Sequence, residues 1–209
     1  MLYKETVEPA TLGLLKDLMS IPELEQFRLV GGTALSLLLG HRASIDLDLF
    51  TDRPFNREVI IDALAEKFSS LSIQEFKSSR LFFTTINNVK VDFVCTFEKF
   101  INNYDITEGI RFAALDDIIA LKLNAIAGRG AKKDFWDLNE LLNHYSFDQM
   151  LSSYQQKYPN NSSMMVLKSA TYFIDADLQP DPICFKKLGW DTIKKKITKE
   201  VNLYINTKR

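Results

Sequence analysis

Three aspartates and one glycine turn are the residues whose types and spacing could do chemistry. Asp46 and Asp48, in Asp46-Leu47-Asp48-Leu49-Phe50, have the i, i+2 spacing that on a strand sends both carboxylates to one face and the leucines to the other. Asp92, in Val89-Lys90-Val91-Asp92-Phe93-Val94, is a lone acid between apolar neighbours, a costly place for a charge unless something pairs with it. A divalent cation shared with Asp46 and Asp48 would be such a partner. Magnesium or manganese takes oxygen ligands, and magnesium keeps several waters, so two or three aspartates plus substrate phosphates suffice. Upstream, Gly31-Gly32-Thr33 at the start of a helix would offer free N–H groups and a positive dipole end, which bind phosphate without a charged side chain. Cations held between shared carboxylates can stabilise both the entering and the leaving oxygen, so this set could move a nucleotidyl group from a triphosphate to a hydroxyl. Each part also has an ordinary use: a solvated strand face for the acids, a strand-to-helix turn for the glycines.

Cations that could meet such a ligand lie further along. Lys122 sits among Ile118, Ile119, Leu121 and Leu123, and Arg129 follows seven positions later on the same helical face. The two would suit an anionic ligand, or would snorkel from an apolar helix to water. Asp134 and Asp137 are i, i+3 neighbours near a helix start, where they would favour the helix dipole or orient Lys122 and Arg129, with Asp134 placed ahead of Asp137. Arg42 could hold Asp46 or a phosphate. His41 is expected in a surface loop, and His144 at a helix end.

The elements that must position these groups follow from periodicity. Helical spacing predicts helices over Pro9 to Ser20, Ala34 to Leu39 (capped by Thr33 and stopped by Gly40) and Asn56 to Phe68. Strands are predicted at Phe27 to Val30, Asp46 to Phe50, Ser72 to Phe76, Leu81 to Ile86 and Val89 to Cys95, with Asn87-Asn88 as a tight hairpin turn. After Arg111 the pattern turns helical, at Leu115 to Ala127, Lys133 to Tyr145, Phe147 to Lys157 and Ser162 to Phe173. A loop with Pro180 and Pro182 then precedes a last helix from Trp190 to Ile205. A mixed sheet followed by a helical half is the α+β signature: a core over 1–110 and a helical region over 111–209 that completes the cleft.

The chain has 209 residues, 46% hydrophobic and 25% charged, the balance of an ordinary globular domain and not of a disordered or fibrous chain. The net charge of -1 advertises no polyanionic partner. Lys194-Lys195-Lys196 and Lys199 in the last helix are expected to form a solvated face. The two cysteines, Cys95 and Cys184, have no metal-ligand spacing and suit a reducing compartment. No window is apolar enough to span a bilayer and no leader pattern opens the chain, so the expected setting is cytoplasmic, away from the membrane.

The stretch Leu29-Val30-Gly31-Gly32-Thr33-Ala34-Leu35, followed by Gly40-His41-Arg42-Ala43-Ser44-Ile45-Asp46-Leu47-Asp48-Leu49-Phe50, resembles the first signature of the DNA polymerase β-like nucleotidyltransferases. More narrowly it resembles the AbiEii family, the toxin component of bacterial type IV toxin–antitoxin and abortive-infection systems. The similarity continues through Lys122-Leu123-Asn124-Ala125-Ile126, Arg129 and Lys133-Asp134-Phe135-Trp136-Asp137-Leu138. It implies a nucleotidyltransferase-like mixed sheet, an NTP donor, a divalent metal, an antitoxin partner and an RNA acceptor such as tRNA. It further implies that Lys122 contacts the triphosphate and that Asp134 is needed for activity. Asp46, Asp48 and Asp92 would be the metal ligands, and Gly31, Gly32, Thr33, Arg42, Lys122 and Arg129 would bind the nucleotide. A non-catalytic nucleotide- or partner-binding module of the same fold, or transfer onto a protein or antibiotic, is the competing expectation. The part after about Tyr145 carries no signature.

Overall fold

The computed structural model describes residues 1–74 and 78–208. Nine α-helices and seven strands alternate through the described residues: α1 (Pro9–Met19), β1 (Arg28–Val30), α2 (Gly31–Leu39), β2 (Leu47–Thr51), α3 (Arg57–Lys67), β3 (Leu71–Ile73), β4 (Leu81–Ile86), β5 (Val89–Cys95), β6 (Asp105–Thr107) and β7 (Ile110–Phe112) come first. The helices α4 (Leu115–Gly128), α5 (Lys132–Leu141), α6 (Phe147–Lys157), α7 (Ser163–Ala170), α8 (Ile174–Asp177) and α9 (Trp190–Thr207) follow. The α+β class read from the sequence is the class observed.

The strands form one sheet in the order β3-β4-β5-β2-β1-β7-β6. β2 runs parallel to β5 and antiparallel to β1. Register places Asp48 opposite Asp92 on one side and Val30 on the other, so the carboxylate strands are neighbours at the centre of the sheet. Alternation does the sorting. In β2, Leu47, Leu49 and Thr51 are buried while Asp48 and Phe50 keep partial access to solvent. On the buried face Phe82 stacks on Phe93 at 4.7 Å between ring centres, with Phe27 edge-on to Phe93 at 5.5 Å.

Most predicted elements stand with shifted ends. Asn56 caps α3 by accepting the Glu58 N–H at 3.0 Å. Asn87 and Asn88 both take positive φ, 49° and 65°, as the tight hairpin between β4 and β5 requires. The first helix of the site differs from expectation: α2 begins at Gly31, with Val30 as its cap, so the glycines form its first turn and Thr33 is not the cap. The predicted strand at Ser72 to Phe76 is observed as β3, Leu71–Ile73, and positions 75 and 76 lie outside the described residues. Two elements were not predicted at all. β6 and β7 are three residues each, too short to show alternation, and pair through a turn at Glu108 and Gly109 with φ of 51° and 81°. The predicted helix from Ser162 to Phe173 ends at Ala170, and α8 follows as a separate short helix.

One continuous buried cluster takes residues from both 1–110 and 111–209. Polar ties cross the same boundary. Asp117 on α4 accepts the backbone N–H groups of Ile101 and Asn102 and pairs with the buried Lys157 ammonium of α6 at 2.9 Å. Near the C-terminus, Cys184 bridges Arg42, and the Ala43 and Phe185 N–H groups bond the carbonyls of Ile183 and His41. Chain from 183 to 185 is thereby seated on the segment that carries Arg42.

Candidate active site

A cavity of about 220 Å³ opens between the centre of the sheet and the C-terminal half of α4. Gly31 and Gly32 form one end, Asp46, Asp48 and Phe50 the sheet wall, and Leu121, Asn124 and Ala125 the helix wall. Sequence reasoning missed Phe50, Leu121 and Asn124, because nothing in their spacing tells which face of a helix or strand will border a cleft.

The glycines are needed for more than a turn. Gly31 has φ +71°, in the left-handed region, and a Cβ there would collide with the Asp48 carboxylate. A Cβ at Gly32 would collide with the Arg42 guanidinium. The first turn of α2 is therefore pressed between an acid and a base, with its N–H groups at the cavity end. The Thr33 hydroxyl is buried, bonded to the Ser44 hydroxyl at 2.8 Å and to the Asp46 carbonyl. It ties the start of α2 to the loop before β2 and so positions Asp46.

Asp48 and Asp92 share one face of the sheet, as their register requires, and Asp46, just before β2, lines the same cavity as Asp48. Burial, then the negative charges of Asp92 and Asp46, push the Asp48 carboxyl above the ordinary range. Lys90 Nζ lies 2.9 Å from Asp92 Oδ2, and Lys133 Nζ lies 3.4 Å from Asp46 Oδ2. Among the described residues no three His, Cys, Asp or Glu side chains are drawn together closely enough to hold a metal ion in this conformation. Two lysines instead hold the outer acids. The donor set nevertheless fits a hard cation. All three groups are carboxylates, Asp92 Oδ1 is buried with no hydrogen-bond partner, and Asp48 lies between two like charges.

A largely buried ion network lines the cavity and continues behind it to Asp137. Lys122 Nζ reaches Asp134 Oδ1 at 2.8 Å and Asp137 Oδ2 at 2.7 Å. Burial opposes its charge, but Asp137 and Asp134 outweigh burial and hold the ammonium above its usual range. Asp134 also accepts from Arg129 Nε at 3.1 Å; burial works against its ionisation, yet Lys122 and Arg129 keep its carboxyl low. Asp137 is the hub. It accepts from Arg42 Nε at 2.6 Å, from Arg42 Nη2 at 2.9 Å and from His41 Nε2 at 2.7 Å. Burial alone would raise it, but Arg42 and Lys122 hold it well below the carboxylate range.

Three sequence expectations change here. His41 is buried, not in a surface loop, and bonds Asp137. Arg42 is held by Asp137 and not by Asp46. Asp137, ranked behind Asp134, is the group on which the cavity-lining Arg42 and Lys122 and the buried His41 converge. A hint was available in the sequence: two acids one helical turn apart, close to two cations, are one more acid than Lys122 alone would need. Elsewhere, His144 at the end of α5 bonds Glu140 at 3.2 Å. Lys194 and Lys196 tie α9 to Asp177 and to the Asn139 carbonyl, so that face is not simply solvated.

The profile of the family described as nucleotidyl transferase AbiEii toxin, type IV TA system, matches residues 13–205. The chain belongs to the AbiEii nucleotidyltransferase toxin family. It is 29% identical over 204 residues to an uncharacterized protein of Aquifex aeolicus (strain VF5), spanning 91% of this chain and 94% of that one. Among solved structures, an H. pylori protein provisionally named a nucleotidyltransferase superposes with a TM-score of 0.60 at 17% identity, over 94% of this chain and 95% of that one. MenT4, the nucleotidyltransferase toxin Rv2826c of Mycobacterium tuberculosis H37Rv, superposes with a TM-score of 0.50 at 14% identity, over 90% and 83%. At these identities the structural likeness is one of fold. The family match makes the chain an enzyme of the nucleotidyltransferase class, and the cleft just described is the candidate seat of that activity. Among the described residues no helix is long and apolar enough to cross a membrane.

Proposed function

We propose that this AbiEii-family enzyme transfers NMP from an NTP to a hydroxyl of an RNA, tRNA being the first candidate, in the bacterial cytoplasm and under the control of an antitoxin. The observation that carries the reading is the row of Asp48 and Asp92 on adjacent strands beside a helix whose first turn is Gly31-Gly32. One end of the cavity offers N–H donors for phosphate and the wall next to it offers carboxylates.

Asp46, Asp48 and Asp92 would hold magnesium or manganese, and the bound cations would neutralise phosphate charge and lower the pKa of the attacking hydroxyl. The α2 N-terminus receives the triphosphate, and Lys122 and Arg42, kept charged by Asp134 and Asp137, lend positive potential behind it. The acceptor oxygen bonds to the α-phosphorus as the bridging α–β P–O bond breaks. Pyrophosphate leaves toward Gly31 and Gly32, and the hydroxyl proton passes to Asp92. Arg129, with a side chain 64% exposed, guards the cavity mouth and meets the nucleotide there. Catalysis by such a site is positioning and fixed electrostatics.

A non-catalytic binding module gains nothing from like-charged acids crowded at Asp48, which cost stability. The test is incubation of the purified protein with each labelled NTP, magnesium and total RNA or protein, beside Asp46→Ala and Lys122→Ala. Label transferred to RNA by the wild type and lost in both variants is the expected result. Equal labelling in the variants removes the mechanism; label on protein redirects the acceptor.

A further inference from the structure

Arg129 lines a second cavity as well as the first. This one, of about 200 Å³, lies where the last turn of α4 meets the end of α7 and the start of α8, and Gly128, Ser169, Tyr172 and Asp175 border it. Lys122 is tied through Asp137 to Arg42, and Arg42 packs on Gly32 at the phosphate end of the first cavity. Arg129 comes seven residues after Lys122 on α4, a rise of about 10 Å. The second cavity thus adjoins the first at a distance from Gly31 and Gly32.

Its floor is bare: a Cβ built on Gly128 would meet nothing within 4 Å. Tyr172 is 52% exposed, and among the described residues no aromatic ring or cation stacks on it. An open ring beside a bare floor is equipment for holding a flat, unsaturated ligand. A neighbouring groove meets the first cavity at Asn124, but its aromatic residue, Tyr154, is buried at 2% exposure and offers no ring face. The polar groups of the second cavity are mostly acceptors. Asp175 is an exposed carboxylate, and the last carbonyls of α4 lack intrahelical donors and sit at the negative end of the helix dipole. A ligand seated here is best held by N–H groups of its own. A nucleotide whose phosphates lie at Gly31 and Gly32 sends its base away from them, toward Arg129. Adenine, guanine and cytosine each carry an exocyclic amine, whereas uracil presents a carbonyl at the corresponding edge.

We propose that the cavity at Tyr172 and Asp175 is the base site for the donor nucleotide and selects a base that bears an exocyclic amine. The base lies against the Tyr172 ring over Gly128, and its amine donates to Asp175. Arg129, held by Asp134, stands at the junction between base and phosphates. This rests on the NTP occupying the first cavity as argued above.

The test titrates the full chain with ATP, GTP, CTP and UTP in magnesium by calorimetry, then measures transfer from each NTP labelled at the α-phosphate to a short single-stranded RNA. The tightest-binding NTP should be one with an exocyclic amine, bound about tenfold more tightly than UTP, the scale of one hydrogen bond to a charged group. Asp175→Asn puts a donor where an acceptor stood and should close that gap. Tyr172→Ala should weaken binding of the preferred NTP about tenfold, the scale of one lost base–aromatic stack, and leave the KM for RNA unchanged. Tyr172→Phe should keep wild-type binding, and Gly128→Leu, which fills the floor without a clash, should weaken it as Tyr172→Ala does. UTP bound as tightly as the other three, a gap unmoved in Asp175→Asn, or NTP binding unmoved in Tyr172→Ala and Gly128→Leu overturns the base site. NTPs bound in the expected order with no label transferred leave the base site standing and overturn the transfer reading of the first cavity. Binding of no NTP overturns both.

Discussion

Asp48 is held in conditions that a folded protein ordinarily avoids: partly buried, with Asp92 across the strand gap and Asp46 two residues back. Its raised pKa means the folded state holds its proton more tightly than the unfolded chain does, so ionised Asp48 subtracts stability at neutral pH. Asp48→Asn should therefore raise the melting temperature, by the equivalent of about 1 kcal/mol, a gain typical of relieving a strained functional group. The same variant should lower transfer by roughly 10²–10³-fold, as removal of one preorganised electrostatic group does. Calorimetry and a transfer assay on one preparation check both. Asp134 and Asp137 have the opposite sign. Their folded pKa values are depressed, so their contribution is complete above the unfolded value of about 3.9 and fades as pH falls through the folded values. Asp137→Asn, which leaves Arg42 and Lys122 facing a neutral amide, should cost about 3–5 kcal/mol in urea unfolding at pH 7, a cost that begins to shrink below the unfolded value of about 3.9 and falls away as pH passes through the folded value. A pH-independent loss would contradict the assignment.

At the scale of elements, the cleft depends on joints that hold sheet and helices together. Lys157 on α6 and Asp117 on α4 are both fully buried, and Asp117 also anchors the backbone at Ile101 and Asn102. Lys157→Ala strands that carboxylate and should cost about 3–5 kcal/mol, while kcat measured well below the lowered melting point stays at the wild-type value. A kcat that falls with it would place this joint in the catalytic machinery. Such joints were not legible in the sequence, where Lys157 is one polar residue at a helix end. The long amphipathic helices and the alternating strands were legible, because burial of one face imposes its period directly on residue types. The three-residue β6 and β7 were not, since the pairing of β7 with β1 and of β6 with β7, and not pattern, makes them strands. The acids and glycines of the site could be read for the same local reason: i, i+2 spacing and a missing Cβ act within a few residues. His41 to Asp137 spans 96 positions, and no local spacing encodes which distant acid a histidine or arginine will meet.

On the scale of the whole molecule, the two segments, 1–110 and 111–209, are proposed to be lobes of one cooperative unit with the cleft between them. A continuous buried cluster runs through both, and residues 183–185 reach back to hold the strand-like segment at 41–43. Both tryptophans lie in the second segment, stacked on each other at 5.3 Å, so their fluorescence reports that lobe while far-ultraviolet dichroism reports the whole chain. The two signals should show one coincident transition in denaturant, and separate midpoints would contradict a single unit. The central claim concerns what the assembled cleft does. It is tested most directly by offering RNA and magnesium with the same NTP labelled either at the α- or at the γ-phosphate. Nucleotidyl transfer predicts label on RNA from the α position only, released pyrophosphate carrying the γ label, and neither product from Asp48→Asn; γ label on the RNA, or undiminished α labelling by Asp48→Asn, would contradict it.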